Sequence, residues 1–367
     1  SDLSRVETEA RLENGAWRLY GEKWFCSNVD AGLILTIART DPDPGAVGLS
    51  VFLVPAEVGA ERNRFRIERL KEKLGVASMP TGEIVYDGAE GYLVGERGQG
   101  VRVAAELFNL SRIYNAVASV AGAKRALREA VAWTREREAF GAPVARQPLA
   151  MQDLARLTVE LEANLALVFE TARALDAVDA GAGDHERRLL RILTPVAKLI
   201  TAKFAVRATS EAMELLGGNG YIEDFDTPRL LRDAQVLPIW EGTTNVLVLD
   251  AVRSMMKQGT LETLLEDARR RLPEGGEMAV EAKQVREALD RAESDAGPVL
   301  SGGLAGARHV VERLVTAYRS SLLVEAADRG GDRDRVVAAR YVEGFLTPAM
   351  EGGPLDLSDG YDELVGL

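Results

Sequence analysis

Cysteine occurs once in the 367 residues and histidine twice. A lone thiol, Cys26, excludes an intramolecular disulfide, and with His185 and His309 it cannot complete a Cys/His zinc site. No apolar run approaches the roughly 18 residues that a membrane-spanning helix needs, and Ser1 to Ala10 hold no signal-peptide core. The expectation is a reducing, cytoplasmic setting, with no metal and no membrane insertion. Basic residues are also short: 45 Lys and Arg stand against 57 Asp and Glu, a formal charge of -12. Phosphate affinity comes from clustered cations, so this balance argues against a general nucleic-acid binder.

What the chain does have is apolar residues, 46% of the total, enough to bury cores in two or three domains. The first hundred residues read as strands. V-E-T-E-A-R-L and W-R-L-Y flank an E-N-G-A turn, G-L-I-L-T-I-A-R and G-L-S-V-F-L-V-P are split by P-D-P-G, Arg62 to Leu70 alternates, and Ile84 to Tyr86 is expected to end at an Asp87-Gly88 turn. From Gly100 the period becomes helical, over 101–137, 149–178, 187–216 and 246–256. Ala180 to Gly183 joins two of these helices, and Gly217-Gly218 stops a third. A further helical region opens after Pro273-Glu274-Gly275-Gly276, with Leu289, Leu304, Val310, Val311, Leu314 and Leu322 placed to form a packed layer. The end of the chain, from Pro348, is rich in Gly and Asp. The fold class expected is α+β, mostly α. An antiparallel β domain (1–97) precedes a helical bundle (98–256), a helical extension (257–348) and an extended or disordered tail (349–367).

Four stretches carry the candidate chemistry: G-E-K-W-F-C-S-N from Gly21, R-E-A-F-G from Arg137, L-L-G-G-N-G-Y from Leu215, and I-W-E-G-T-T-N from Ile239. Singly, each has an ordinary structural meaning. Gly-Gly after a helix is usually a cap, Trp24-Phe25 on a strand is usually core, and Glu241 before Gly-Thr-Thr is usually an acid favoured at a helix start. In this order and spacing they resemble the acyl-CoA dehydrogenase family, over about Ser1 to Arg253, and most closely its AidB-type branch, which also carries a helical extension. Ser1-Asp2 resembles the end of that family's G-S-D motif, so the N-terminal helical domain and the first β strands are expected to be missing from this chain.

The resemblance implies FAD as cofactor and α,β-dehydrogenation of an acyl-CoA thioester as reaction. Glu241 is then the base that takes the α-proton, on the face of the substrate opposite flavin N5. A carboxylate beside Trp240 is partly desolvated, which raises its basicity. Ser1, Phe25, Ser27, Thr243 and Asn245 match flavin-contacting positions. Arg137, Phe140 and Gly218 match positions that reach the FAD of a neighbouring subunit, implying a homo-oligomer, dimer or tetramer. Asn109, Arg112, Trp240 and Gly242 fall on the substrate side, with Arg112 open to a second reading as a structural ion pair beneath the site. Ser111 occupies the position of an alternative base found in some relatives and cannot abstract a carbon-bound proton. Strand alternation puts Phe25 and Ser27 on one face and Cys26 on the other, as a small buried hydrophobe.

Two readings of function follow from the resemblance. In one, an acyl-CoA dehydrogenase passes electrons to an electron-transfer flavoprotein; an oxidase would use the same residues. In the other, an AidB-type stress flavoprotein associates with DNA through its extension. Met255 to Leu367 holds 14 Lys and Arg against 21 Asp and Glu, which opposes DNA binding. Arg269 to Arg271 and Arg329 to Arg340 are expected to be solvated helix faces.

Overall fold

The computed structural model describes residues 2–42, 45–347 and 360–366, without the side chains of residues 305, 361 and 365. Ser1, expected at the flavin, lies outside this description. The chain divides into two compact units, Ser1–Ser111 and Arg112–Leu367.

In the first unit β1 (Glu9–Glu13) and β2 (Ala16–Ser27) form a hairpin. Asn14 and Gly15 make its two-residue turn, with φ of 50° and 82°, the left-handed pair that suits the twist of a hairpin. β3 (Leu33–Arg39), β4 (Leu49–Pro55), a small hairpin of β5 (Glu57–Val58) and β6 (Glu61–Arg62), β7 (Phe65–Leu70) and β8 (Thr81–Val94) complete the strands. The main sheet runs β2-β1-β3-β4-β8-β7, and because β2 also pairs with β8 it closes on itself. Its pairings are antiparallel apart from one parallel bridge, Glu9 to Arg39. Leu19, Phe52, Val54, Ile84 and Tyr86 fill the interior. Each fully buried side chain of this size contributes about 1.5–3 kcal/mol.

The sheet has two bulges, and one local expectation fails at the first of them. Asp87-Gly88 ends no strand, because β8 runs on through it to Val94. Tyr20 pairs with Asp87 and Leu19 with Ala89, which leaves Gly88, at φ 82°, as the extra residue. On β2, Lys23 pairs with Ile84 and Cys26 with Gly82, so three steps along one strand face two on the other. The inserted residue breaks alternation at Trp24 and Phe25, both exposed; beyond it Phe25 and Ser27 are exposed and Cys26 packs half-buried at the edge of the core, as strand alternation predicts.

α1 (Gly100–Glu136) begins in the first unit. The second unit continues with the β9 (Glu138–Ala139) and β10 (Ala142–Pro143) hairpin, then α2 (Pro148–Asp179), α3 (Asp184–Leu215), α4 (Gly218–Tyr221), α5 (Thr227–Ala234), α6 (Thr244–Gln258) and α7 (Thr260–Arg270). α8 (Ala279–Leu300), α9 (Ala307–Arg329), α10 (Asp332–Tyr341) and α11 (Tyr361–Val365) follow. The four long periodic stretches are helices to within three residues at each end. α5 and α7 and the β9–β10 hairpin were not marked by periodicity. Gly217, at φ 62°, ends the third bundle helix.

One hydrophobic cluster runs from Leu154, Leu167 and Leu193 of the bundle to Leu264, Leu289, Val311 and Leu314 of the extension. The extension is therefore a layer of the same core. Leu304 is the exception to the predicted layer and lies exposed. The expected extended tail is also corrected at Tyr361–Val365, a helical turn whose Leu364 is buried. The other residues of that prediction fall outside the described ones, apart from Gly360 and Gly366.

Buried charge joins the layers as well. Asp267 of α7, with no exposed surface, accepts from Arg271 at 2.8 Å and from the Tyr318 hydroxyl of α9 at 2.7 Å. Arg271 also pairs with Glu170 of α2 at 2.8 Å and Glu325 of α9 at 2.6 Å. Arg270 and Arg269 are paired too, as are Arg329, Arg333, Arg335 and Arg340. The two arginine clusters thus carry ion pairs on the solvated faces expected of them, with Arg270 65% and Arg329 76% exposed; Arg271, largely buried, is the exception.

Burial pushes the Asp267 carboxyl up, but its hydrogen bonds from Arg271 and Tyr318 outweigh that and hold it below the usual carboxylate range. A carboxyl lowered in the folded state stabilises above its unfolded pKa, and that contribution is lost as pH falls through the folded value. Asp267→Asn removes the charge and leaves Arg271 short of a partner, at a cost of about 3–5 kcal/mol at neutral pH. Denaturant unfolding should show this deficit shrinking as the pH falls below about 4; a pH-independent deficit would contradict the ionic origin.

Candidate active site

The glutamate turn lies in the second unit, between α5 and α6. Tight turns follow α5, with Leu237 N–H on Ala234 C=O at 3.1 Å and Trp240 N–H on Val236 C=O at 3.1 Å. Glu241 and Gly242 then take left-handed conformations, φ 57° and 104°. For a glutamate this geometry costs on the order of 1–3 kcal/mol and persists only where neighbours enforce it.

Three side chains do so by donating to carbonyls of the turn. Asn115 of α1 donates to Leu237 C=O at 3.2 Å, Arg112 Nε of α1 to Glu241 C=O at 3.1 Å, and Lys198 Nζ of α3 to Gly242 C=O at 2.6 Å. Arg112 is held in turn by Asp250 of α6 at 2.8 Å, and Arg191 of α3 reaches the other oxygen of Asp250 at 2.5 Å. Of the two readings of Arg112, the geometry displays the ion pair.

The Glu241 carboxylate is half-buried and, among the described residues, makes no hydrogen bond or ion pair. Burial raises its pKa, against the pull of Arg112 and Lys198. A carboxylate that is desolvated, uncommitted and fixed in place is what a general base requires. Its backbone N–H is also free of any hydrogen bond among the described residues. Trp240 packs beside Ala202, Ala205, Ala234 and Leu237, and its indole N–H is buried without a partner. Thr243 caps α6 without a side-chain hydrogen bond, which leaves the first N–H groups of this 15-residue helix open to an anion. Thr243 and Asn245 are both exposed there.

Arg137 and Gly218 line one pocket of about 390 Å³ with Trp133, Val144, Gly217 and Asn219. Phe140 stands 98% exposed at the tip of the β9–β10 hairpin, in a two-residue turn with φ of 53° at Phe140 and 84° at Gly141. In the first unit, Phe25, Ser27 and Cys26 lie on a groove of about 600 Å³ with Lys23, Leu35 and Phe108. Burial pushes the Cys26 thiol up, which makes it a poor nucleophile at neutral pH. Asn109 is half-buried on α1.

An isoalloxazine needs an apolar face with a polar handle, and a diphosphate needs a cation and open N–H groups. Phe25 is 73% exposed, and the Ser27 hydroxyl makes no hydrogen bond among the described residues. Arg137 makes no ion pair among the described residues, and the α6 N-terminus is open. Taken unit by unit, each carries residues of the kind that FAD takes. Sequence reasoning missed Lys198, Asn115, Arg191 and Asp250. Their signal was a charged or amide residue at a core-facing helical position, as with Lys198 between Ala197 and Leu199.

These motifs and this architecture place the chain in the acyl-CoA dehydrogenase family, a family of FAD-dependent oxidoreductases: residues 1–89 match its middle domain and residues 98–256 its C-terminal domain. Acyl-CoA dehydrogenase family member 11 of Caenorhabditis elegans is 37% identical over 355 residues, covering 90% of this chain and 57% of that protein. Putative acyl-CoA dehydrogenase AidB of Escherichia coli K12 is 39% identical over 270 residues, covering 73% of this chain and 48% of that protein. The crystal structure of Caenorhabditis elegans ACDH-11 in complex with C11-CoA superposes with a TM-score of 0.87 at 36% identity, covering 93% of this chain and 62% of that one. The chain thus spans about half the length of these two curated relatives.

Gly242 has little room for change. A Cβ there would lie 3.1 Å from Leu247 Cδ2 on a backbone at φ 104°. Gly242→Ala is therefore expected to destabilise the second unit by about 1–3 kcal/mol, measured by denaturant unfolding. Unchanged stability would show that the turn relaxes freely.

Proposed function

We propose that the protein containing this chain is an FAD-dependent acyl-CoA dehydrogenase, forming a trans-2-enoyl-CoA, with Glu241 as the base for the α-proton. The observation that carries this reading is the uncommitted, half-buried Glu241 carboxylate on a clamped, left-handed backbone. FAD, when bound, supplies the hydride acceptor at N5. Phe25 and Ser27 hold its ring system, Thr243 and Asn245 at the start of α6 take its polar chain, and Arg137, Phe140 and Gly218 reach the FAD of a neighbouring subunit in a homo-oligomer. Trp240, Gly242 and Asn109 form the substrate side, and Arg112 supports the turn from beneath.

The Glu241 N–H, without an acceptor among the described residues, would donate to the thioester oxygen as negative charge develops there, an interaction whose loss typically costs on the order of 10²–10³ in rate. A complex of ACDH-11 with C11-CoA supports an acyl-CoA substrate. An electron-transfer flavoprotein is the expected electron acceptor. The AidB-type alternative, with DNA on the extension, is opposed by the paired state of its arginines.

The test is anaerobic titration of the natural full-length, FAD-loaded protein with acyl-CoAs of graded chain length. Bleaching of the flavin by one length range is expected, slowed by about 10²–10⁴ in Glu241→Gln. A flavoprotein that no acyl-CoA reduces, or a fully active Glu241→Gln, would overturn the reading.

A further inference from the structure

Lys198 is an expensive residue where it stands. It sits on α3 between Ala197 and Leu199, with no exposed surface, and a buried ammonium is costly unless its charge and protons are used. Its one hydrogen bond among the described residues is the 2.6 Å contact to Gly242 C=O, and no carboxylate forms an ion pair with it. The charged groups that face it are Glu241, Arg112 and Lys203. Arg112 is already matched by Asp250, which Arg191 shares. Among the described residues, the anion left for Lys198 is Glu241.

We propose that Lys198 is the positioning residue of the catalytic turn, anchoring Gly242 C=O so that Glu241 keeps its left-handed backbone, and supplying the counter-charge that keeps the base carboxylate ionised. This rests on the reading of Glu241 as the base. The division of labour is electrostatic. Burial favours the protonated, inactive form of Glu241; a nearby cation offsets that burial without forming a salt bridge that would occupy the carboxylate. Arg112 fixes the carbonyl of Glu241, Lys198 the carbonyl of the next residue, and the two donors span the strained pair from α1 and α3. Burial lowers the pKa of Lys198 to about 8. The cation is therefore present at neutral pH and fades as the solution becomes alkaline.

The experiment is the pH profile of kcat/KM and of kcat for the FAD-loaded full-length protein with its best acyl-CoA, in the wild type, Lys198→Met, Lys198→Arg and Glu241→Gln. Lys198→Met is expected to move the acid limb to higher pH and to lower kcat by about 10²-fold, the typical effect of displacing a reacting group by about 1 Å. Lys198→Arg should restore the limb. If Lys198→Met does not fold, Lys198→Gln, which keeps an N–H donor and drops the charge, makes the same test. An unmoved acid limb in a charge-removing variant, with Glu241→Gln inactive, overturns the role of Lys198 alone. Full activity in Glu241→Gln overturns the base assignment and this proposal with it.

Discussion

The constraint on which the catalytic reading depends is the pair of left-handed residues, Glu241 and Gly242. Glycine takes such a conformation freely, whereas glutamate pays for it. The cost is met by cations that donate to the carbonyls on each side, Arg112 from α1 and Lys198 from α3. Because both donate to backbone, the carboxylate stays free for chemistry. A direct salt bridge to either would have given a quieter electrostatic arrangement and a weaker base. Asp250 completes the design by holding Arg112 and Arg191 together, so that positive charge beneath the turn is shared out.

Those anchors need rigid helices, and the extension helps provide them. Its helices share one hydrophobic cluster with the bundle, and Asp267, Arg271, Glu170, Glu325 and Tyr318 tie α7 and α9 to α2 by hydrogen bonds between buried groups. Such a network specifies one arrangement of layers, because sliding any helix strands a buried charge. Committed in this way, the arginines of the extension are poorly disposed to take up phosphates, and the acidic balance of the segment points the same way.

Much of this was legible in the sequence where a period could be read over several turns. The long helices, the Asn14-Gly15 hairpin and the packed extension all follow from apolar spacing and turn chemistry, because burial rewards the whole stripe at once. Glu241 stands out as a candidate only through its companions in order and spacing, since an acid before Gly-Thr-Thr has an ordinary meaning by itself. What could not be read was register. Asp87-Gly88 carries a turn signal, yet long pairing with β2 on one side draws the strand through it as a bulge. Lys198 was hidden for a related reason: within a helix it reads as one more surface lysine, and its burial is set by a loop 44 residues away.

The bulge at Trp24-Phe25 shows why such failures gather near function. A regular strand would turn one of the two aromatics into the sheet interior, where Leu19 and Ile84 already fill the space. Inserting a residue turns both outward. The ammonium of Lys71 then lies 3.1 Å from the centre of the Trp24 ring and 5.2 Å from that of Phe25, cation–π contacts that steady the two rings while Phe25 stays 73% exposed. The local rule is broken where, on the function proposed above, an aromatic surface is presented to the flavin instead of buried. A departure from alternation that exposes apolar area and is compensated by a specific neighbour is therefore better evidence for a cofactor face than the motif letters alone.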